Sequence, residues 1–413
     1  MFPKVHPSTN ERPTECYDEQ LVVSDVFFKH LGLISCLGGI YRRANHGKKM
    51  TCCDRLKLVY VIFVEIIILT CIVFFLVATY IYAVESRPVL RLVSFCATIA
   101  INLYLSLIYS IFLSKAFHQL HVRFRKYEEL YGLTDEFKKW VKRLRPMLVF
   151  SLLHMASFAP LKYYMTKSYP EVMYDIFPAI SFSEPWKSVG LGIMCLGYTM
   201  VEFQWASNYI VIPFLSLFLW HEFKRVETQF KELCNSHRED TETRFNALVI
   251  HHGHITEVLE DVSNYVQHSL FTYVFLSAPV TSAVLYSILS KNINSEEVMV
   301  YSVLCAWALL CIGCRLLLDA HVSSKAHGTL QYVWGLDKER FSGKGLQKVN
   351  LFVSRLTGDT IGYNIHGLFT ITMPTLLGIA GTLITYIFVV VQFKPSDSSC
   401  QCNCFRNVTG SDM

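Results

Sequence analysis

Seven stretches of this chain are apolar over a run long enough to cross a lipid bilayer, and this constrains the fold more than any other feature. A helical crossing takes about 20 residues. The stretches fall at 57–83, 92–114, 147–165, 188–220, 269–290, 298–319 and 366–393. Backbone groups in hydrocarbon must satisfy one another, so segments of this length predict helices. The fourth stretch exceeds the thickness of a bilayer and must tilt or continue into water. Pro160 and Lys162 interrupt the far half of the third, which leaves a six-span arrangement as the alternative. Composition agrees: 52% of residues are hydrophobic and 17% charged, against about 25% charged in ordinary soluble domains.

Charge in the connections sets the orientation, because Lys and Arg concentrate on the cytoplasmic side. Segments 1–57, 115–146, 221–268 and 320–365 hold 29 of the 38 Lys and Arg residues. Segments 84–91, 166–187, 291–297 and 394–413 hold 7, and Lys162 and Arg315 fall inside spans. The N-terminus is therefore expected in the cytoplasm and, after seven crossings, the C-terminus outside. A rhodopsin-like receptor has the reverse orientation. It would also carry an acidic-Arg-aromatic triplet after its third span and Asn-Pro-x-x-Tyr in its seventh, and this sequence has neither.

The inner connections carry helical periodicity. Phe223, Val226, Phe230 and Leu233 recur every three or four residues, as do Leu248, Ile255, Leu259 and Val262. The fourth and fifth helices are thus expected to extend out of the membrane and pack together. Independent helices on the membrane surface are the alternative. Leu346, Val349, Val353 and Leu356 form a further stripe, so 345–357 is read as a cytoplasmic helix. Gly358 and Gly362 punctuate the chain before the last span.

That last span ends Thr385-Tyr386-Ile387-Phe388-Val389-Val390-Val391-Gln392-Phe393. On a helix Thr385 and Gln392 share one stripe, and Tyr386 and Phe393 share the next, about 100° round. Such a polar stripe either bonds a neighbouring helix or faces water, and spacing alone leaves both open. Thr-Tyr, five mostly apolar residues and Gln-Phe also form the signature of the insect gustatory receptor family, which this sequence resembles at all four positions. The specific resemblance is confined to 385–393, while the topology extends it over most of the chain.

The resemblance implies an all-α membrane protein of seven transmembrane helices. Cytoplasmic extensions of helices 4–6 and a cytoplasmic first part of helix 7 would form an anchor domain where four subunits meet. It implies domains at 1–56 (cytoplasmic N-terminal segment), 57–344 (helices 1–6), 345–393 (helix 7) and 394–413 (extracellular tail). It places Gln392 and Phe393 at the narrow outer end of a central cation pathway, supported by Tyr386 and Thr385; helix geometry adds Val389 to the wall. Four copies of Phe393 would gate by dewetting. Lys394 opposes cation entry there. Pro374 is expected to kink the start of the helix, and Gly378 and Gly381 to permit close packing.

Family members bind ligands within each subunit's helix bundle, open to the outer half of the membrane. The matching candidates are Tyr198, Glu202, Trp205, Asn208 and Tyr209 in the fourth span, Tyr104 in the second, Tyr163 in the third and Trp307 in the sixth. Aromatic faces with a few polar groups suit a small organic molecule. Glu202 lies mid-span, with Arg315 or Lys162 as its expected partner. The sugar-receptor branch has Glu after Thr-Tyr, where this chain has Ile387, which argues against that branch. A light-sensing branch stays open.

Other signals carry less. His251, His252 and His254 do not complete a metal-binding spacing with Glu257 or Glu260, and a solvated face is expected there. His221-Glu222 lacks the second His of a zinc hydrolase, and no phosphate-binding loop or Ser-His-Asp set is present, so no enzyme and no cofactor are expected. Cys52 and Cys53 adjoin the first span as palmitoylation candidates. Cys400, Cys402 and Cys404, with the sequon at Asn407, sit in the expected external tail.

The reading is a multi-pass plasma-membrane protein: a ligand-gated, non-selective cation channel for a small tastant, homotetrameric or heteromeric with related receptors, and without a nucleic-acid partner. A metabotropic or light-sensing receptor on the same fold is one alternative. A secondary transporter is the other, although no internal repeat supports it.

Overall fold

The computed structural model describes residues 23–28, 113–143, 187–235, 240–276, 295–358 and 360–392, with scattered positions between 55 and 73 and at 146, 149 and 153. Among the described residues no helix is long and apolar enough to cross a membrane; of the segments read as spans, 92–114 and 147–165 lie almost wholly outside that set, and 57–83 and 269–290 in part. What the structure does describe is mostly helical.

Helix α1 (Leu113–Tyr131) ends at Gly132, whose φ of 67° places it in the left-handed region. Its N–H returns to the Glu128 carbonyl at 2.8 Å, the αL way of ending a helix. A second helix, 135–143, then turns back. Helix α2 (Lys187–Asn235) runs unbroken for 49 residues, about 74 Å, and absorbs Pro213 without ending. Helix α3 (Thr241–Phe271) passes into a π-turn at Thr272–Leu276. Helix α4 (Ser295–His327) is followed by the short α5 (Leu330–Trp334) and by α6 (Gly343–Gly358).

The core forms where α1, α2, α3, α4 and α6 meet. The periodic residues named from sequence are its substance: Phe223, Val226, Phe230 and Leu233 are buried on α2, and Ile255, Leu259 and Val262 on α3. Phe352 of α6 stacks on Phe230 with ring centroids 5.7 Å apart and meets Phe245 edge-on at 6.1 Å. Fully burying such a side chain is worth about 2–3 kcal/mol, so this face, and not local propensity, holds the helices together. The expected packing of the fourth and fifth helices is therefore present.

Two expectations need correction. The seventh segment is not helical from 366: strands β1 (Tyr363–Ile365) and β2 (Phe369–Ile371) form an antiparallel hairpin, pairing Tyr363 with Ile371 and Ile365 with Phe369. His366 and Gly367 both have positive φ, and the Leu368 N–H donates to the Ile365 carbonyl, as in a type I′ turn. The cytoplasmic helix read at 345–357 is α6, and after the break at Gly358 and Gly362 the helix of the last span, α7 (Met373–Gln392), begins only beyond that hairpin. Pro374 kinks nothing. It lies in the first turn of α7, where no intrahelical N–H bond is lost, and Thr372 caps that turn through the Thr375 N–H at 3.3 Å.

The N-terminal region also contributes to the core. Phe27 is fully buried against Phe124 and Phe137. The Glu128 carboxylate accepts from the Val23 and Ser24 N–H groups at 3.0 and 2.9 Å, holding the N-terminus of the 23–28 helix.

Candidate functional site

Helix α7 carries no charged residue in its 20 positions. Gly378, Thr382, Thr385, Val389 and Gln392 recur at alternating four- and three-residue spacing, which lines them along one seam, and all five are exposed in this chain. Leu377, Gly381, Ile384 and Phe388 form an adjacent seam with the same spacing, also exposed, Phe388 to 63%. Among the described residues a Cβ placed on Gly378 or Gly381 would meet nothing within 4 Å, so none of them supplies the close packing expected at these glycines. The Thr382 and Thr385 hydroxyls donate to the Gly378 and Gly381 carbonyls, each at 2.9 Å. Both hydroxyls are thus satisfied by their own helix, and the seam presents a narrow face of mixed polarity. The side chain of Tyr386, and Phe393 entirely, lie outside the described residues.

The base of α7 is fixed to the bundle. The Asn364 N–H donates to Ser263 Oγ of α3 at 2.9 Å. His327 Nε2, at the end of α4, accepts the Ile361 N–H at 3.1 Å, so its Nδ1–H donates to the Leu356 carbonyl of α6 at 2.9 Å. Gly362 passes so close that a Cβ there would come within 2.8 Å of Thr370 and 3.1 Å of Ser323.

A buried polar chain joins this base to the two long helices. The Tyr363 hydroxyl lies 2.7 Å from Ser216 Oγ on α2, and Ser216 donates to Asp319 Oδ1 on α4 at 2.8 Å. Since Ser216 has one proton, Tyr363 is the donor to it. Arg315 Nε donates to Asp319 Oδ2 at 2.7 Å, and its guanidinium lies 5.8 Å from the Tyr363 ring centroid. All four residues are buried. Of the two partners expected for Glu202, Arg315 is bound to Asp319, one turn on and the shortest reach available on a helix; the Glu202 side chain and Lys162 lie outside the described residues. That i, i+4 pair was legible in the sequence; the contributions of Ser216 and Tyr363 were not.

The pocket candidates sit above this junction. Tyr198, Glu202, Trp205, Asn208 and Tyr209 lie on α2, and Trp307 on α4, with only their backbones described. Because α2 is one continuous helix, Tyr198 and Ser216 are five turns apart at the same register. Tyr209 and Trp307 lie about 10–12 Å along their helices from Ser216 and Arg315. Tyr104, Tyr163 and Asn407 lie outside the described residues.

A second polar cluster ties α1 to α2 and α3. His251 Nε2 and Glu222 Oε2 lie 2.8 and 2.9 Å from the Tyr127 hydroxyl, which therefore accepts from the imidazole and donates to the carboxylate. Tyr131 stacks on His251 at 3.9 Å. His252 is buried beside Phe223 and Phe352 and bonds the Ala326 carbonyl at 3.0 Å. The solvated face expected at 251–254 is thus wrong for His251 and His252. Burial lowers the His251 pKa to about 3 and that of His252 to about 4, and raises those of Tyr127 and Glu222. Among the described residues no group of three or more His, Cys, Asp or Glu residues suits a metal ion.

Residues 26–397 match the sequence pattern of the 7tm chemosensory receptors. The chain belongs to the 7tm chemosensory receptor family. It is therefore a multi-pass membrane receptor by family, and not an enzyme. The fold agrees with that of the insect olfactory receptor OR5 from Machilis hrabei. The receptor in complex with eugenol is 16% identical with a TM-score of 0.65, and a second structure of the same receptor is 15% identical with a TM-score of 0.66. In each case the alignment covers 89% of this chain and 97% of the receptor. Comparison with curated proteins gives no match.

Proposed function

We propose that this chemosensory receptor is a ligand-gated, non-selective cation channel of the gustatory type, assembled as a homotetramer in the plasma membrane, with the exposed seam of α7 lining the pathway. The observation that carries the reading is that seam. An uncharged helix with Thr385, Val389 and Gln392 on one exposed edge and Leu377, Ile384 and Phe388 on the next suits a position where one face meets water and its neighbour meets another subunit. The Thr-Tyr and Gln-Phe signature falls on its outer end, which assigns the gate to Gln392 and Phe393, with Tyr386 as support. OR5 is described bound to eugenol; a small organic ligand of comparable size is proposed for this chain, held among Trp205, Tyr198, Glu202 and their neighbours on α2, with Trp307 on α4. The buried Tyr363–Ser216–Asp319 chain then connects the helices that hold the ligand to the hairpin at the base of the pore helix.

Expression in a heterologous cell with a panel of small organic compounds tests this reading. Ligand-evoked cation current is expected. Saturable uptake of a compound with no accompanying current would instead mark a transporter.

A further inference from the structure

We propose that the rim formed by the 135–143 helix and the adjoining turn of α2 binds the headgroups of anionic inner-leaflet phospholipids. Two tryptophans fix the level of the membrane surface. Trp140 has the Arg143 guanidinium 5.2 Å from its ring centroid, and Trp220 has the Lys224 ammonium at 4.9 Å. Both rings are half-buried, which suits a side chain with an apolar body and a polar edge at the lipid–water boundary.

The two are at a common depth because their helices touch between them. Phe137 meets Phe218 at 5.2 Å, and the Thr134 N–H donates to Glu222 at 3.1 Å. With the third and fourth spans read at 147–165 and 188–220, Trp140 lies about 4.5 Å toward the membrane from that contact. Trp220 lies about 3 Å away from the membrane. The two levels thus differ by about 7.5 Å, the upper end of the thickness of one headgroup layer, roughly 5–7.5 Å.

Charge supplies the specificity. Lys139, Lys142 and Arg143 are exposed on the 135–143 helix. Of the nearby acids, Asp135 pairs with Lys138 at 3.0 Å, and Glu136 faces His221. Basic groups held at the headgroup level recruit anionic lipid, and those on an ordered helix do so at a defined place.

The full-length protein, reconstituted in phosphatidylcholine vesicles containing brominated phosphatidylserine or an equal fraction of brominated phosphatidylcholine, tests this by tryptophan quenching. Quenching by the anionic lipid is expected to exceed that by the neutral one, and Trp140→Phe to remove much of the excess. Enrichment of roughly fivefold per engaged cation is the scale of the effect. The triple variant Lys139→Gln, Lys142→Gln, Arg143→Gln should abolish it, whereas the charge-conserving variant Lys139→Arg, Lys142→Arg, Arg143→Lys should retain it. Equal quenching by the two lipids overturns the proposal, as does an excess that survives the neutral triple variant. Loss of the excess on adding inorganic phosphate at matched ionic strength would show a soluble-anion site, and this too would overturn it.

Discussion

Tyr363 joins the hairpin at the foot of α7 to both long helices. Its hydroxyl donates to Ser216, which donates to Asp319. Tyr363→Phe keeps the ring and removes the donor, so thermal unfolding in detergent should show a loss of about 1 kcal/mol. Asp319→Ala removes the acceptor and leaves the Arg315 charge buried without its carboxylate; a loss of about 3–5 kcal/mol is expected, visible as failure to reach the cell surface. If the polar chain also carries the ligand signal, Tyr363→Phe at normal surface expression shifts the half-activating ligand concentration. An unchanged dose–response would confine Tyr363 to stability.

The histidines of α3 make stability depend on pH. The folded-state pKa values of His251 and His252, about 3 and about 4, lie below the usual value near 6.5, so the unfolded chain binds more protons. The stability they confer is present above about pH 6.5 and is lost as pH falls toward 4. At pH 5 each costs about 2 kcal/mol. Glu222 acts in the opposite sense, because its raised pKa makes the folded state the better proton binder above the ordinary carboxylate range. Unfolding temperatures measured from pH 7.5 to 5 should fall, and less steeply in His252→Gln. A flat profile would mean these imidazoles are solvated after all.

Among the elements, the hairpin between α6 and α7 was the least legible. Its strands have three residues each, too short for an alternating pattern, and its apolar residues run on into the last span. His366-Gly367 was the one available signal, and it is weak because His seldom takes positive φ. The long amphipathic stripes were legible, since Phe223 to Leu233 and Ile255 to Val262 repeat over several turns and end up buried. Burial of His251 and His252 was not, because a histidine on a helix looks solvated until the Tyr127 and Phe352 that cover it are placed. Gly362→Ala tests the close approach of the hairpin. Its Cβ would press on Thr370 and Ser323, at a cost of about 1–3 kcal/mol in thermal unfolding. Gly378→Ala meets no atom within 4 Å among the described residues; a drop in assembled oligomer without loss of monomer would locate a neighbouring subunit there.

At the scale of the whole molecule, one bundle serves two ends. The inner helices bury the aromatic core and hold the hairpin, and from the hairpin rises a helix whose two seams are exposed. The pocket proposed on α2 and α4 begins about two turns from the polar junction at its foot, so a ligand that shifted either helix would act on the base of α7 through that junction. The signature residues carried the family resemblance, while the junction that would couple them to the ligand appeared only once Ser216, Asp319 and Tyr363 were placed together.

If α7 lines the ion pathway as proposed, Gln392 faces that pathway. The measurement is current through Gln392→Cys channels during exposure to a membrane-impermeant, positively charged thiol reagent applied from outside, with the unsubstituted chain as control. The expected result is a progressive change in evoked current that the control lacks. If mass spectrometry shows the introduced thiol modified while the current stays as before, α7 does not line the path.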